Sequence, residues 1–153
     1  MALSRARDRL EDGVIHFGAV DDAYFEGDIV YSPSISDLGY WEIEVDDFAV
    51  DGKSLGFPTR RKAIIDTGTS LILAPESDAM TLHAGINDAK SNGELFAIPC
   101  DTNSTLDITI NDVVYSILPQ DWVGEQTGSG RYCLSNVIGR VSHLFFSKIH
   151  LVE

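Results

Sequence analysis

The segment Ala63-Ile64-Ile65-Asp66-Thr67-Gly68-Thr69-Ser70-Leu71-Ile72 constrains the fold more than any other part of the chain. An apolar run drives into a turn of acid, glycine and hydroxyl residues, and the chain then becomes apolar again. A carboxylate at the end of a buried strand is costly unless it is hydrogen-bonded or put to chemical use. Gly68 lets the backbone come close to whatever Asp66 faces, and the flanking hydroxyls can hydrogen-bond the carboxylate.

Short β-type runs recur along the chain at intervals of about ten residues, separated by turn residues. Val14–Phe17 precedes Gly18, and Ile29-Val30-Tyr31 precedes Ser32-Pro33-Ser34. Tyr40-Trp41-Glu42-Ile43-Glu44-Val45 alternates with period two, giving one apolar and one acidic face. Asp51-Gly52 is a hairpin signal, and Asn111-Asp112 separates Leu106–Ile110 from Val113–Leu118 in the same way. One stretch, Pro75 to Ile86, reads as a helix. Proline suits its first turn, Glu76 and Asp78 suit the positive end of its dipole, and Ala79, Leu82 and Ile86 share a face. The expected class is mainly β, with one or two short helices. An apolar content of 44% with 13 glycines and five prolines in 153 residues agrees with a turn-rich domain that has a real core.

With 11 basic and 24 acidic residues the formal charge is −13, which argues against a nucleic-acid partner, since phosphate binding needs a basic face. No apolar stretch approaches the roughly 20 residues that cross a bilayer, so no membrane partner is expected. The start, Met1 to Arg9, is charged and has no apolar core of the signal-peptide kind. The histidines (His16, His83, His143, His150) are scattered and there is no Cys-x-x-Cys pair, so neither a metal nor another cofactor is expected. Cys100 and Cys133 can be buried free thiols or a bridge; a bridge would add about 3–4 kcal/mol on the chain-entropy view and imply an oxidising compartment. Asn103-Ser104-Thr105 is an N-glycosylation sequon in a polar loop, a pattern common enough by chance to add little alone. Asp21-Asp22 and Asp46-Asp47 read as solvated surface, and Trp41 and Trp122 as core or barrel-edge aromatics.

Several ordered segments resemble the C-terminal lobe of the pepsin-like aspartic proteases, of the fungal type. Gly13-Val14-Ile15-His16-Phe17-Gly18-Ala19-Val20-Asp21 is similar to that lobe's Gly-x-x-x-Phe-Gly-Gly-x-Asp segment, with Ala19 for the second glycine. Gly27 to Pro33 and Gly39 to Ile43 resemble its next two strands, and Asp66 to Pro75 its catalytic loop and the approach to its helix. Asn92-Gly93-Glu94-Leu95, Ile98-Pro99-Cys100 and Ile108-Thr109-Ile110-Asn111 follow in the family's order. The resemblance implies one half of a bilobal β-barrel fold over residues 13–138, preceded by a lead-in strand or loop over 1–12 and followed by an atypical tail over 139–153. It also implies a disulfide, since the separation of Cys100 and Cys133 matches the one in that lobe.

On this resemblance Asp66 is one of two catalytic aspartates that share a proton and activate a water for peptide-bond hydrolysis. Thr67 resembles the threonine that ties the two catalytic loops together, Gly68 the amide that bonds the aspartate, and Thr69 the hydroxyl on its outer oxygen. The implied partners are a peptide or protein substrate and a second lobe or second copy. The implied setting is secreted or vacuolar. The family's N-terminal lobe, with its aspartate and flap tyrosine, has no counterpart in these residues, so the alternative is a catalytically incomplete fragment or a non-cleaving peptide-binding half. The lobe's usual last strands are replaced by Val137 to Glu153. There Val137-Ile138-Gly139-Arg140 could take the place of the family's apolar-apolar-Gly segment, as in the homodimeric retroviral proteases. The favoured reading instead makes Val137–Gly139 the end of the strand that follows Cys133.

Overall fold

The computed structural model describes Ala2, residues 13–128 and 130–140, and the backbone of residues 148–151. The expected lead-in over 1–12, apart from Ala2, and tail residues 141–147, 152 and 153 lie outside the described residues. The chain divides into two compact units, residues 1–31 and residues 32–152.

In the first unit Val14 forms a single antiparallel bridge with Ala2. Asp21 caps one 3-10 turn, Asp22–Tyr24, its carboxylate accepting from the Ala23 N–H at 3.0 Å. The strands expected at Val14–Phe17 and Ile29–Tyr31 are not formed, and Ile15 and Phe17 are exposed. Alternation orients side chains but supplies no ladder partner, and a strand exists only through its ladder.

The second unit carries three sheets among its described residues. One contains β2 (Asp47–Val50), β3 (Lys53–Ser54), β8 (Leu106–Ile110) and β9 (Val113–Ile117) in the order β3-β2-β8-β9. Its two hairpins turn where the sequence places them. Asp51 and Gly52 have φ of 52° and 72°, and Asn111 and Asp112 have 48° and 63°, so both residues of each turn are left-handed, as a tight two-residue hairpin requires. A second sheet has the order β10-β11-β7-β6, from β6 (Lys90–Ser91), β7 (Phe96–Pro99), β10 (Val123–Gln126) and β11 (Tyr132–Ser135). The third and largest is β1-β4-β13-β5-β12, from β1 (Glu42–Val45), β4 (Arg61–Ile65), β5 (Ile72–Pro75), β12 (Val137–Arg140) and β13 (Lys148–Leu151). The expectation of a mainly β lobe holds.

Helix α1 (Glu76–Ala84) lies inside the expected span, and Ala79, Leu82 and Ile86 are buried as their spacing predicts. A second, four-residue helix, α2 (Pro119–Trp122), ends on the fully buried Trp122, whose indole N–H donates to the Ser104 carbonyl at 3.0 Å. Two buried clusters form the core. One gathers Val45, Phe48, Ala63, Ala79, Phe96 and Ile108, and the other Val50, Leu82, Ile98, Leu106, Trp122 and Val137.

Two expectations fail in the second unit. Trp41 is 77% exposed while Glu42 is buried, so the alternation of Tyr40–Val45 does not separate a wet face from a dry one. Alternation decides which side chains share a face; what packs against each position decides which are covered. Val137–Gly139 does not continue the strand of Cys133 either. The Asn136 N–H donates to the Trp122 carbonyl at 2.9 Å, and the Asn136 carbonyl accepts from the Ile72 N–H at 2.8 Å. These bonds turn the chain out of one sheet and into another. Beyond the turn β12 runs parallel to β5, with Val137 opposite Ile72 and Gly139 opposite Ala74. A Cβ on Gly139 would lie 3.2 Å from the Glu76 Cα, so a residue without a side chain lets this strand approach the start of α1.

Candidate active site

Strand β4 delivers Asp66 to the end of the five-stranded sheet, and β5 carries the chain away. Both strands are anchored at the loop. The Ile65 N–H donates to the Trp41 carbonyl at 2.9 Å, just before Asp66, and the Ile72 N–H bond to Asn136 closes the other side. Asp66 is half-buried, with its carboxylate held by its own loop. One oxygen, Oδ1, accepts from the Gly68 N–H at 2.9 Å, and the other, Oδ2, accepts from the Thr69 hydroxyl. The Thr69 N–H also reaches the Asp66 carbonyl at 3.4 Å. A Cβ on Gly68 would sit 3.2 Å from Oδ1, tighter than such contacts normally are, so glycine makes the amide contact possible. One bond on each oxygen fixes the orientation of the carboxylate. Thr67 and Ser70 are exposed.

Helix α1 carries two buried polar side chains, Asp78 and His83, whose burial the sequence did not flag. Asp78, expected as a dipole partner in the first turn of α1, forms a two-pronged ion pair with Arg61 of β4, at 2.7 and 3.1 Å. The guanidinium also covers the Phe57 ring at 4.4 Å and donates to the Thr59 carbonyl at 3.2 Å. This pair pins α1 to the strand that carries Asp66. His83, on the opposite end of α1, is buried and stacked on Phe96 with ring centres 3.8 Å apart. Its Nδ1 lies 2.7 Å from the Ala79 carbonyl, which can only accept, so Nδ1 carries the proton. Nε2 is then the acceptor, and the Ser135 hydroxyl donates to it across 2.8 Å. The Ser135 oxygen in turn accepts the Val137 N–H at 3.0 Å. Burial pushes the His83 imidazole down to about 4 from 6.5, against the smaller raising effect of the Ala79 carbonyl. A signal for His83 was present, because it stands four residues after Ala79 and three before Ile86 on the apolar face.

The bridge left open by the sequence is made: Cys100 and Cys133 are disulfide-bonded, with Cα atoms 5.0 Å apart. It joins the end of β7 to its neighbour β11, so it staples a sheet away from the Asp66 loop in sequence. Asn103 is exposed in the loop that follows β7. Among the described residues no group of three or more His, Cys, Asp or Glu side chains could hold a metal ion, and no helix is long and apolar enough to cross a membrane.

Residues 1–145 match the sequence profile of the eukaryotic aspartyl protease family. The chain is 41% identical over 138 residues to a probable aspartic-type endopeptidase CTSD of Arthroderma otae, an alignment that covers 90% of this chain and 36% of that relative. It is 38% identical over 141 residues to the aspartic-type endopeptidase ctsD of Aspergillus fumigatus, covering 91% of this chain and 29% of that one. It is also 38% identical over 132 residues to a cathepsin D of Dictyostelium discoideum, covering 83% and 34% respectively. The chain thus spans between a quarter and two fifths of the length of these relatives. With a mainly β fold, a disulfide and a self-bonded Asp-Thr-Gly-Thr loop joining two core strands, the chain belongs to the eukaryotic aspartyl protease family.

Proposed function

We propose that this chain supplies half of an aspartic endopeptidase site, with Asp66 as one of two catalytic aspartates. The observation that carries the reading is the Asp66 carboxylate, held on one oxygen by the Gly68 amide and on the other by the Thr69 hydroxyl. A carboxylate held in a fixed orientation is what a general base needs, because proton transfer demands a set geometry. In the full reaction a water lies between two aspartates that share one proton. The ionised member takes a proton from that water as it attacks the scissile carbonyl, and the protonated member donates to the carbonyl oxygen. One carboxylate cannot be acid and base in the same step. The sequence holds one Asp-Thr-Gly, so the second comes from an N-terminal lobe or from a second copy. Thr67 then bonds the partner loop, and the substrate is a peptide with apolar side chains flanking the cut. A secreted or vacuolar setting agrees with the disulfide, which persists in oxidising compartments.

A second reading, a half that binds peptide without cutting it, draws on the same single Asp-Thr-Gly and on the 36% or less of each relative that the chain spans. Sedimentation alongside a peptide-cleavage assay at about pH 3–5 separates the two, since that range brackets carboxylate titration. Cleavage that tracks a dimer, or an added N-terminal lobe, and drops by at least about a hundredfold in Asp66→Asn supports the endopeptidase. Cleavage by a strict monomer would sink the shared-proton argument, and activity retained in Asp66→Asn would assign the chemistry elsewhere. Assembly without cleavage supports the binding half.

A further inference from the structure

The loop between β7 and β8 has an arrangement that the proposed peptidase chemistry does not use. We infer that Asn103 is an N-glycosylation site, taking an oligosaccharide from a polyprenyl-diphosphate donor in the compartment where the Cys100–Cys133 bridge forms.

Three observations meet there. Asn103-Ser104-Thr105 is the only place in the sequence where an asparagine is followed two residues later by serine or threonine. Asn103 is exposed, whereas Thr102, Ser104 and Thr105 on either side of it are half-buried. Their backbone is tied down on both flanks. The Thr102 N–H donates to the Pro99 carbonyl at 3.1 Å, and the Ser104 carbonyl accepts the Trp122 indole N–H at 3.0 Å. The Thr105 N–H donates to the Asp51 carboxylate at 2.8 Å, and the Thr105 carbonyl accepts the Asp51 N–H at 3.0 Å. A sugar on the exposed side chain therefore leaves every one of these bonds in place, which a glycan on a ladder or core residue could not do.

Asn103 also lines an open cleft of about 410 Å³ whose walls include Asp51, Asn87, Asp101 and Thr102. Carboxylates, an amide and a hydroxyl offer hydrogen bonds to the first sugar units, where an apolar surface would not. The third observation is the disulfide three residues before the sequon. A bridge of this kind is formed in an oxidising compartment, and in a chain of a eukaryotic family that is also where oligosaccharide transfer takes place. The sequon alone is common by chance; an exposed asparagine between pinned neighbours, beside a bridge, is much less so.

The step balances without a redox partner. The Asn103 side-chain nitrogen forms a bond to the anomeric carbon of the first sugar, and the bond from that carbon to the diphosphate oxygen breaks. The polyprenyl diphosphate leaves with the electron pair, and the amide gives up one proton. The acceptor keeps one N–H and the sequon hydroxyl of Thr105 is unchanged.

The test is the full chain behind a cleavable secretion leader, translated with endoplasmic-reticulum microsomes and also expressed in a yeast secretory host. The expected result is a slower-migrating product that peptide-N-glycosidase collapses, with aspartate recovered at position 103 by peptide mass spectrometry. Asn103→Gln and Thr105→Ala should each lose the shift completely, and Thr105→Ser should keep it. The microsome readout does not depend on the variants folding. Wild-type chain that is translocated and leader-cleaved yet carries no sugar overturns the proposal, as does a shift that survives Asn103→Gln. Asp66→Asn should leave the shift unchanged, so failure here and failure of the peptidase reading are seen separately.

Discussion

The Asp66 loop and the His83 pocket solve opposite problems within one sheet-and-helix unit. Asp66 is half-buried at a strand end, and its carboxylate accepts from an amide and a hydroxyl of its own loop. His83 is buried against Phe96, gives its one proton to a backbone carbonyl and accepts from Ser135, an arrangement that suits only its neutral form. The first set of bonds spans three residues or fewer, and the Ser135 bond spans 52. A half-exposed carboxylate can be held by its own loop, where water still helps. A group kept neutral needs a core, and a core is assembled from distant parts of the chain.

The largest effect expected from this contrast is on stability against pH. His83 ionises near 4 in the folded chain and at 6.5 when unfolded, so between those values the unfolded state binds the extra proton. Its contribution is complete above about pH 6.5 and is lost as pH falls towards about 4, a total on the order of 3 kcal/mol. Urea titrations at a series of pH values should show this decline, and His83→Phe should remove the slope across that window while lowering stability throughout. An unchanged slope in His83→Phe would move the pH sensitivity to the carboxylates.

The next effect is smaller. Thr69→Val keeps the shape of the loop but removes the donor to Asp66 Oδ2, a loss of about 1 kcal/mol in the restraint on the carboxylate. In an assembled site, peptide cleavage should fall about fivefold in Thr69→Val, and Thr69→Ser should restore it. The smallest is the stability change in Asp66→Asn. The side chain is half in solvent and Asn can still accept from one donor, so the denaturation midpoint should move by no more than about 0.5 kcal/mol. A larger loss would mean that the carboxylate itself holds the loop together.

Local features were legible in the residues because their causes are local. The left-handed turns at Asp51-Gly52 and Asn111-Asp112, helix α1 after Pro75, and the need for glycine at 68 all follow from conformational preferences within a few residues. The bonds of Gly68 and Thr69 to Asp66 are equally local, each spanning three residues or fewer. Reading failed where burial or pairing is decided from a distance. Trp41, read as a core or barrel-edge aromatic, is exposed, Glu42 on the acidic face is buried, and the apolar run at Val14–Phe17 makes one bridge instead of a strand. Asp78 had a sufficient local explanation as a dipole partner, which hid its ion pair with Arg61, 17 positions away.

By itself, then, the sequence determined the mainly β class, the turns, the helix and a loop able to present one restrained aspartate. The tertiary structure decided that Cys100 meets Cys133, that α1 is pinned by Arg61, that His83 stays neutral on Ser135, and that Val137–Arg140 leaves the strand of Cys133 to lie beside β5. The division has one physical cause. Backbone preferences and hydrogen bonds across two or three residues act before the chain is folded, whereas burial and strand partners exist only once distant segments have packed.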